Sequence, residues 1–239
     1  MMRNSPLLGL SILAASAGAA AADPLPVDIS KVEFGPVRFQ LVQHEKVAGE
    51  MFYELERRGD EIVIHDGTTL LPDVRESLTA VIDADTLAPK SLVLDGDFSR
   101  TILDADLQFN DEKVSGDYVL KRPADTAKTK TPFDMDMLPG AVLRASFFGL
   151  STGLPLEEGV SYTFSWFSSL ARNFAQAAFT VTDARTIEVP AGEFETFVGE
   201  LKAQPENVIY ITTETPHRVV RIDVIGQDMR FERLPAPAP

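Results

Sequence analysis

Residues 101–121 read TILDADLQFNDEKVSGDYVLK. Thr101, Leu103, Ala105, Leu107 and Phe109 fall on one side of an extended chain; Arg100, Asp104, Asp106 and Gln108 fall on the other. Side chains alternate across a strand with a period of two, so this stretch has a dry face and a wet face. Asn110-Asp111 is a turn pair. Beyond it, Val114, Gly116, Tyr118 and Leu120 resume the apolar side against Lys113, Ser115, Asp117 and Lys121. Two alternating strands about a tight reversal make an antiparallel hairpin with one solvated face.

The same period spreads outward in both directions. Upstream, Val47, Gly49, Met51, Tyr53 and Leu55 alternate with Glu50, Glu54 and Glu56, and Arg58-Gly59-Asp60 turns the chain into Ile62–Ile64. Leu78, Ala80 and Ile82 form another strand, residues 83–89 a turn-rich connector, and Leu92, Leu94 and Phe98 follow. Downstream, Val160, Tyr162, Phe164 and Trp166 alternate with Ser161, Thr163 and Ser165. Further strands are predicted near 174–183, 185–189, 194–203, 207–213, 217–225 and 229–234, with turn signals at Pro190-Ala191-Gly192 and residues 225–228. The pattern breaks between Pro123 and Gly159. Residues 123–132 are polar and predict a loop. A helix of about three turns is predicted next, with Asp136 as cap, Pro139 in its first turn, and Leu143, Phe147 and Leu150 on one face. The sum is an all-β, mainly antiparallel fold: a strongly curved sheet or open barrel with one helix in the middle of the chain. An outer-membrane barrel is disfavoured, because the polar strand faces carry too many Asp, Glu and Lys to meet lipid.

The ends carry a different kind of information. Arg3, the short apolar run Leu7–Ala19 and the small residues Ala20-Ala21-Ala22 have the layout of a secretory signal peptide over residues 1–22. That run is too short to span a bilayer of roughly 30 Å. The expected organisation is therefore a signal peptide, a single β-rich domain over 23–234, and a disordered Pro/Ala tail over 235–239. The expected location is the periplasm or the exterior, with no integral membrane segment after cleavage. The chain has no cysteine, which removes disulfides and lipidation at a processed N-terminal Cys. Its formal charge of −14 repels nucleic-acid phosphates and anionic headgroups, so no nucleic-acid partner is expected.

Two segments resemble a known family. Val189-Pro190-Ala191-Gly192-Glu193-Phe194-Glu195-Thr196-Phe197 and Pro216-His217-Arg218-Val219-Val220-Arg221-Ile222 are similar to the C-terminal half of a family of exported bacterial proteins catalogued as a domain of unknown function. The stretch from Leu143-Arg144 through Gly153 to Glu158-Gly159 is similar to that family's central helical segment. The resemblance implies a β-rich, strongly curved sheet with a helix on its concave side. It implies no activity. On its own chemistry, Pro-Ala-Gly is a tight reversal between strands, with Phe194 and Phe197 as anchors.

No motif with strong chemical content is present. His44, His65 and His217 are the only histidines, and the pairs His44-Glu45 and His65-Asp66 point to opposite faces of a strand, so neither chelates a metal alone. Acids at i, i+2 (Asp83/Asp85, Asp95/Asp97, Asp104/Asp106, Asp134/Asp136) share a strand face but lack a calcium-loop pattern. No serine sits in a Gly-x-Ser-x-Gly elbow, and no Gly-rich phosphate cradle opens a helix. No catalytic residue, metal or cofactor is assigned. The reading that remains is a non-enzymatic binding or accessory protein. Its apolar cleft would take a hydrophobic small molecule or envelope component, with Tyr118, Phe147, Tyr162 and Trp166 as walls and Arg144, His217 and Arg218 at the mouth. Two alternatives stand beside it: an envelope hydrolase using dispersed carboxylates or a histidine, and an interaction module without a cleft.

Overall fold

The computed structural model describes residues 24–236. The signal-like stretch 1–22 and the last three residues of the tail lie outside the described residues. The first run of strands is β1 (Gly35–Gln43), β2 (Lys46–Arg58), β3 (Glu61–Leu70), β4 (Val74–Asp83), β5 (Pro89–Phe98), β6 (Thr101–Phe109), β7 (Lys113–Lys121) and β8 (Thr129–Asp136). It is an up-and-down meander in which each strand pairs with the next. The second run opens with the two-residue β9 (Val142–Leu143) and the helix α1 (Arg144–Leu150). It continues through β10 (Ser161–Ser168), β11 (Asn173–Val189), β12 (Gly192–Lys202), β13 (Asn207–Thr212), β14 (Val219–Val224) and β15 (Met229–Arg233). The two runs join where β1 pairs with β15, so a single sheet extends from β8 to β1 and on from β15 to β9. Every pairing is antiparallel except that of β9 with β10. The strands β8 and β9 are the two ends of the sheet, which does not close through its backbone. The expected curved, open β architecture with one helix is what the chain adopts.

Residues directly opposite each other on neighbouring strands share a face. The row Val37–Tyr53–Asp66–Leu78–Leu94–Ala105–Tyr118 therefore traces one face across β1 to β7. This is the inner face, and α1 lies on it. Phe147 stacks on Phe164 with ring centroids 4.6 Å apart and meets Phe179 and Trp166 edge-on. The two ends of the sheet then meet through side chains. Tyr118 Oη donates to the Ser169 carbonyl at 2.9 Å, Phe109 and Phe133 pack edge-on against Phe167, and the Arg172 guanidinium lies 4.7 Å from the Tyr118 ring centre. As a result β10 is buried on both faces: Phe164 and Trp166 toward α1, Phe167 toward the far arm. On the other side of the sheet, the tip of the β11–β12 hairpin builds a smaller apolar cluster from Val189, Val198, Tyr210 and Val220, with Ile187, Ala191 and Phe194 packed against it.

Three local expectations differ from the structure. The helix begins at Arg144 and spans only seven residues, followed by a 3₁₀ turn over Ser151–Gly153. Val142 and Leu143 pair with Trp166 and Phe167, which keeps the chain extended up to the helix. Asp136 is instead the last residue of β8, and Leu143 stands at the cap position with no side-chain cap. Residues 129–132, expected as loop, begin β8. The segments 174–183 and 185–189 are one long strand with a bulge between Val181 and Asp183.

Candidate ligand site

The inner face of β1 and β2 does not fill completely beneath α1. Val37 and Phe39 from β1, Met51 and Tyr53 from β2, Phe148 and Gly149 from α1, and Val219 and Ile222 at β14 line a crevice. It holds about 390 Å³ of empty space counting its open mouth, of which about 30 Å³ takes the centre of a water-sized body. The walls are apolar because they are the inward positions of alternating strands. At the rim, Arg233 forms a two-pronged ion pair with Glu33, with Nη1–Oε2 at 2.8 Å and Nη2–Oε1 at 2.6 Å, and Arg233 Nη1 also donates to the Val219 carbonyl.

Tyr53 ties the helix down. Its hydroxyl donates to the Ala145 carbonyl at 3.0 Å and accepts from the Gly149 amide at 3.3 Å. The helix comes this close because residue 149 has no side chain; a Cβ there would lie 2.8 Å from the Tyr53 hydroxyl. Burial pushes the Tyr53 phenol far above its ordinary range, and the charge of neighbouring Asp66 adds to the effect.

Asp66 is the unusual neighbour. The inward register of β3 runs Ile62, Ile64, then Asp66; that of β4 runs Ile82, Ala80, Leu78, then Glu76. Both acids thus stand on the apolar face. Burial, with the Glu76 charge adding to it and Arg144 opposing, raises the Asp66 carboxyl to about 7. Burial raises Glu76 as well, again against Arg144. Although its charge acts on both, Arg144 forms no ion pair with either among the described residues, and its Nε is buried without a hydrogen-bond partner. A buried polar group left without a partner ordinarily costs about 1–3 kcal/mol.

Of the residues singled out from the sequence, Arg144, Phe147 and Trp166 come together around α1, with Phe147 and Trp166 in fully packed positions. Tyr118 lies at the seam between the arms. Tyr162 is half-buried and donates to the Pro155 carbonyl at 2.6 Å. His217 and Arg218 stand on the turn before β14, where Thr212 engages the His217 ring through its carbonyl and the Arg218 amide through its hydroxyl. None of these seven lines the crevice. The crevice residues Val37, Phe39, Met51, Tyr53 and Phe148 escaped the sequence reading. So did Asp66 and Glu76, although an acid continuing an inward apolar register was a visible signal.

Other chemistry is dispersed. His44 pairs with Asp228 at 2.7 Å on an exposed turn, and His65 contacts Thr79 Oγ1 at 3.3 Å. Among the described residues no three His, Asp or Glu side chains converge to hold a metal ion, and no helix is long and apolar enough to cross a membrane. A second and larger space opens between the Asp83–Lys90 turn and residues 137–141, with mixed polar and apolar walls; it holds about 1140 Å³ counting its open mouth, of which about 530 Å³ takes the centre of a water-sized body.

Residues 35–232 match the family described as "protein of unknown function (DUF3108)". The chain belongs to that family. Its matched region runs from β1 into β15 and includes the helix, both inward acids and the crevice walls, with the rim pair Glu33 and Arg233 just outside it. No curated protein is similar to the chain. Among solved structures, it is similar to a "putative exported protein with YmcC-like fold" from Bacteroides fragilis, at 10% identity and a TM-score of 0.28, covering 91% of this chain and 99% of that one. A likeness that loose bears on neither fold nor function.

Proposed function

We propose that this DUF3108 member is an exported, non-enzymatic binding protein that takes the apolar part of a lipid-like or envelope molecule into the crevice beneath α1. The observation that carries the reading is an apolar crevice between a short helix and the inner sheet face, closed at its rim by the Glu33–Arg233 pair. The signal-like stretch 1–22 supports export. As it stands the crevice admits the tip of an acyl chain, and deeper entry requires α1 to lift from Tyr53. Phe147 keeps the helix anchored on Phe164 and Phe179 while its Phe148–Gly149 edge, tied to Tyr53 through one hydroxyl, is the part that would move.

The test is titration of the processed protein with palmitate carrying an anthroyloxy fluorophore. Saturable binding is expected, and Met51→Trp, which fills the crevice, is expected to weaken it by about tenfold or more. An absence of saturable binding, or equal binding by a folded Met51→Trp variant, overturns the reading.

A further inference from the structure

The space between the β4–β5 turn, the β6–β7 turn and residues 137–141 is far roomier than the crevice. It takes the centre of a water-sized body over about 530 Å³, against about 30 Å³ beneath α1. Ordinary small-molecule sites span roughly 300–1,000 Å³. Its walls are held in place by bonds within the protein. The Met137 amide donates to the Glu112 carbonyl at 2.7 Å, which fixes the 137–141 segment against the β6–β7 turn. Asp83 Oδ1 accepts from the Asp85 amide at 3.1 Å, the Thr86 amide at 2.9 Å and the Thr86 hydroxyl at 3.0 Å, which locks the β4–β5 turn. Asn110 Oδ1 accepts from the Glu112 and Lys113 amides at 2.9 and 2.8 Å, which locks the β6–β7 turn. The cavity is therefore shaped before any ligand enters.

The lining has two characters. Pro89, Phe109 and Ala141 are buried and make an apolar floor, with the Phe109 ring set edge-on against Phe167 at 5.4 Å. Thr86, Asn110 and Asp111 are exposed and line the same space. With its oxygen taken by two backbone amides, Asn110 keeps its side-chain N–H groups as donors, and the Asp111 carboxylate is an acceptor. The backbone amides of Asp83, Asn110, Met137 and Ala141 are all bonded within the protein. Recognition thus falls to side chains, unlike the capture of an extended peptide by a strand edge.

Charge narrows the ligand further. Lys90 lines the cavity with its Nζ 3.3 Å from Asp83 Oδ2 and 3.2 Å from Glu61 Oε1, so its ammonium is already matched. The Asp111 carboxylate is in excess of it, and a phosphate or carboxylate head is repelled. Among the described residues no three acids or histidines converge to hold a metal ion. A sugar ring fits what remains. It has a C–H face for the apolar floor, and hydroxyls that donate to a carboxylate and accept from an amide N–H.

We propose that this space is a second binding site, separate from the crevice, and that it takes a neutral sugar, with a C–H face on the Pro89–Phe109 floor and hydroxyls on Asn110 and Asp111. The site goes beyond the lipid reading and does not depend on it, since the two share no lining residue.

The experiment is amide-resolved NMR of the isotope-labelled processed protein, titrated separately with maltose, cellobiose, diacetylchitobiose and, as an anionic counterpart, digalacturonate. At least one neutral disaccharide is expected to give saturable shifts with a Kd of about 1 mM or tighter, centred on residues 83–90, 110–112 and 137–141, and to bind about tenfold tighter than digalacturonate. Asp111→Ala, which removes the acceptor, and Leu138→Trp, which narrows the cavity, are each expected to weaken that binding about fivefold or more. The proposal is overturned if no neutral disaccharide gives saturable shifts, if the shifts centre on Met51 and Phe148 at the crevice, if digalacturonate binds as tightly, or if both variants fold and bind like wild type. The wild-type titrations need no variant, so a variant that fails to fold leaves the proposal exposed. Binding of labelled palmitate at the crevice is read separately and stands or falls on its own.

Discussion

The meander β2–β8 and the run β10–β14 are built from the same alternating strands but spend their outer faces differently. In the meander the outward positions meet water, as Val93, half exposed at 50%, illustrates, with the buried Val63 an exception. In β10 the equivalent position is Phe167, which is 1% exposed because the far arm folds back over it. In β12–β14 the outward Val198, Tyr210 and Val220 are roofed by the β11–β12 hairpin tip. Alternation thus sets which side of a strand is inward, while long-range curvature decides whether the other side is wet.

The largest effect that would break this contrast is at the doubly buried strand. Phe167→Ala is expected to cost about 3–5 kcal/mol in urea unfolding, while Val93→Ala changes stability by no more than about 0.5 kcal/mol. Similar costs at the two sites would mean that β10 is no more enclosed than the meander. A smaller effect is expected at the roof. Phe194→Ala removes a half-buried anchor and is expected to cost about 1–2 kcal/mol, with amide exchange speeding up in the hairpin tip before the rest of β12. Uniform exchange along the hairpin would show that the tip is not a separate unit.

A pH-dependent effect, read as a trend in Tm rather than as a single cost, sharpens the contrast within the inner face. Asp66 is an acid whose folded-state value, about 7, is raised by burial, with Glu76, Tyr53 and Arg144 facing it. The folded protein therefore holds that proton more tightly than the unfolded chain, whose value lies near about 4. Stability from this group is fully present below about pH 4 and is lost progressively as pH rises to about 7. Asp66→Asn is expected to flatten the fall in Tm between about pH 4 and about pH 7, and to melt higher than wild type at the upper end. A variant that melts lower at the upper end would show Asp66 ionised in productive contact with Arg144.

The parts of the fold legible in the sequence were those in which local pattern and environment agree. Leu103, Ala105 and Leu107 read as inward and are inward, because each meander strand is neighboured by the next in sequence. Phe167 was not legible. Ser165 beside it suggested a wet face, whereas Ser165 is buried and its hydroxyl accepts from Gln176 Nε2 at 2.8 Å. The helix start was misplaced for a related reason: Asp136 and Pro139 carry local helix signals, but the pairing of Val142 and Leu143 with β10 overrides them. For the candidate site, Arg144 was recognisable as a charge beside an apolar helix face. Its counterparts at Asp66 and Glu76 were obscured by the many harmless acids on solvated strand faces.

The seam where Tyr118, Phe109 and Arg172 meet β10 and the turn after it contains no ladder of paired peptide groups. It works as a zipper of side chains laid along an otherwise welded shell. Opening it breaks no strand pairing but exposes Phe167 and Tyr118, which are buried there. The integrity of the shell along that line therefore depends on side-chain burial rather than on backbone pairing.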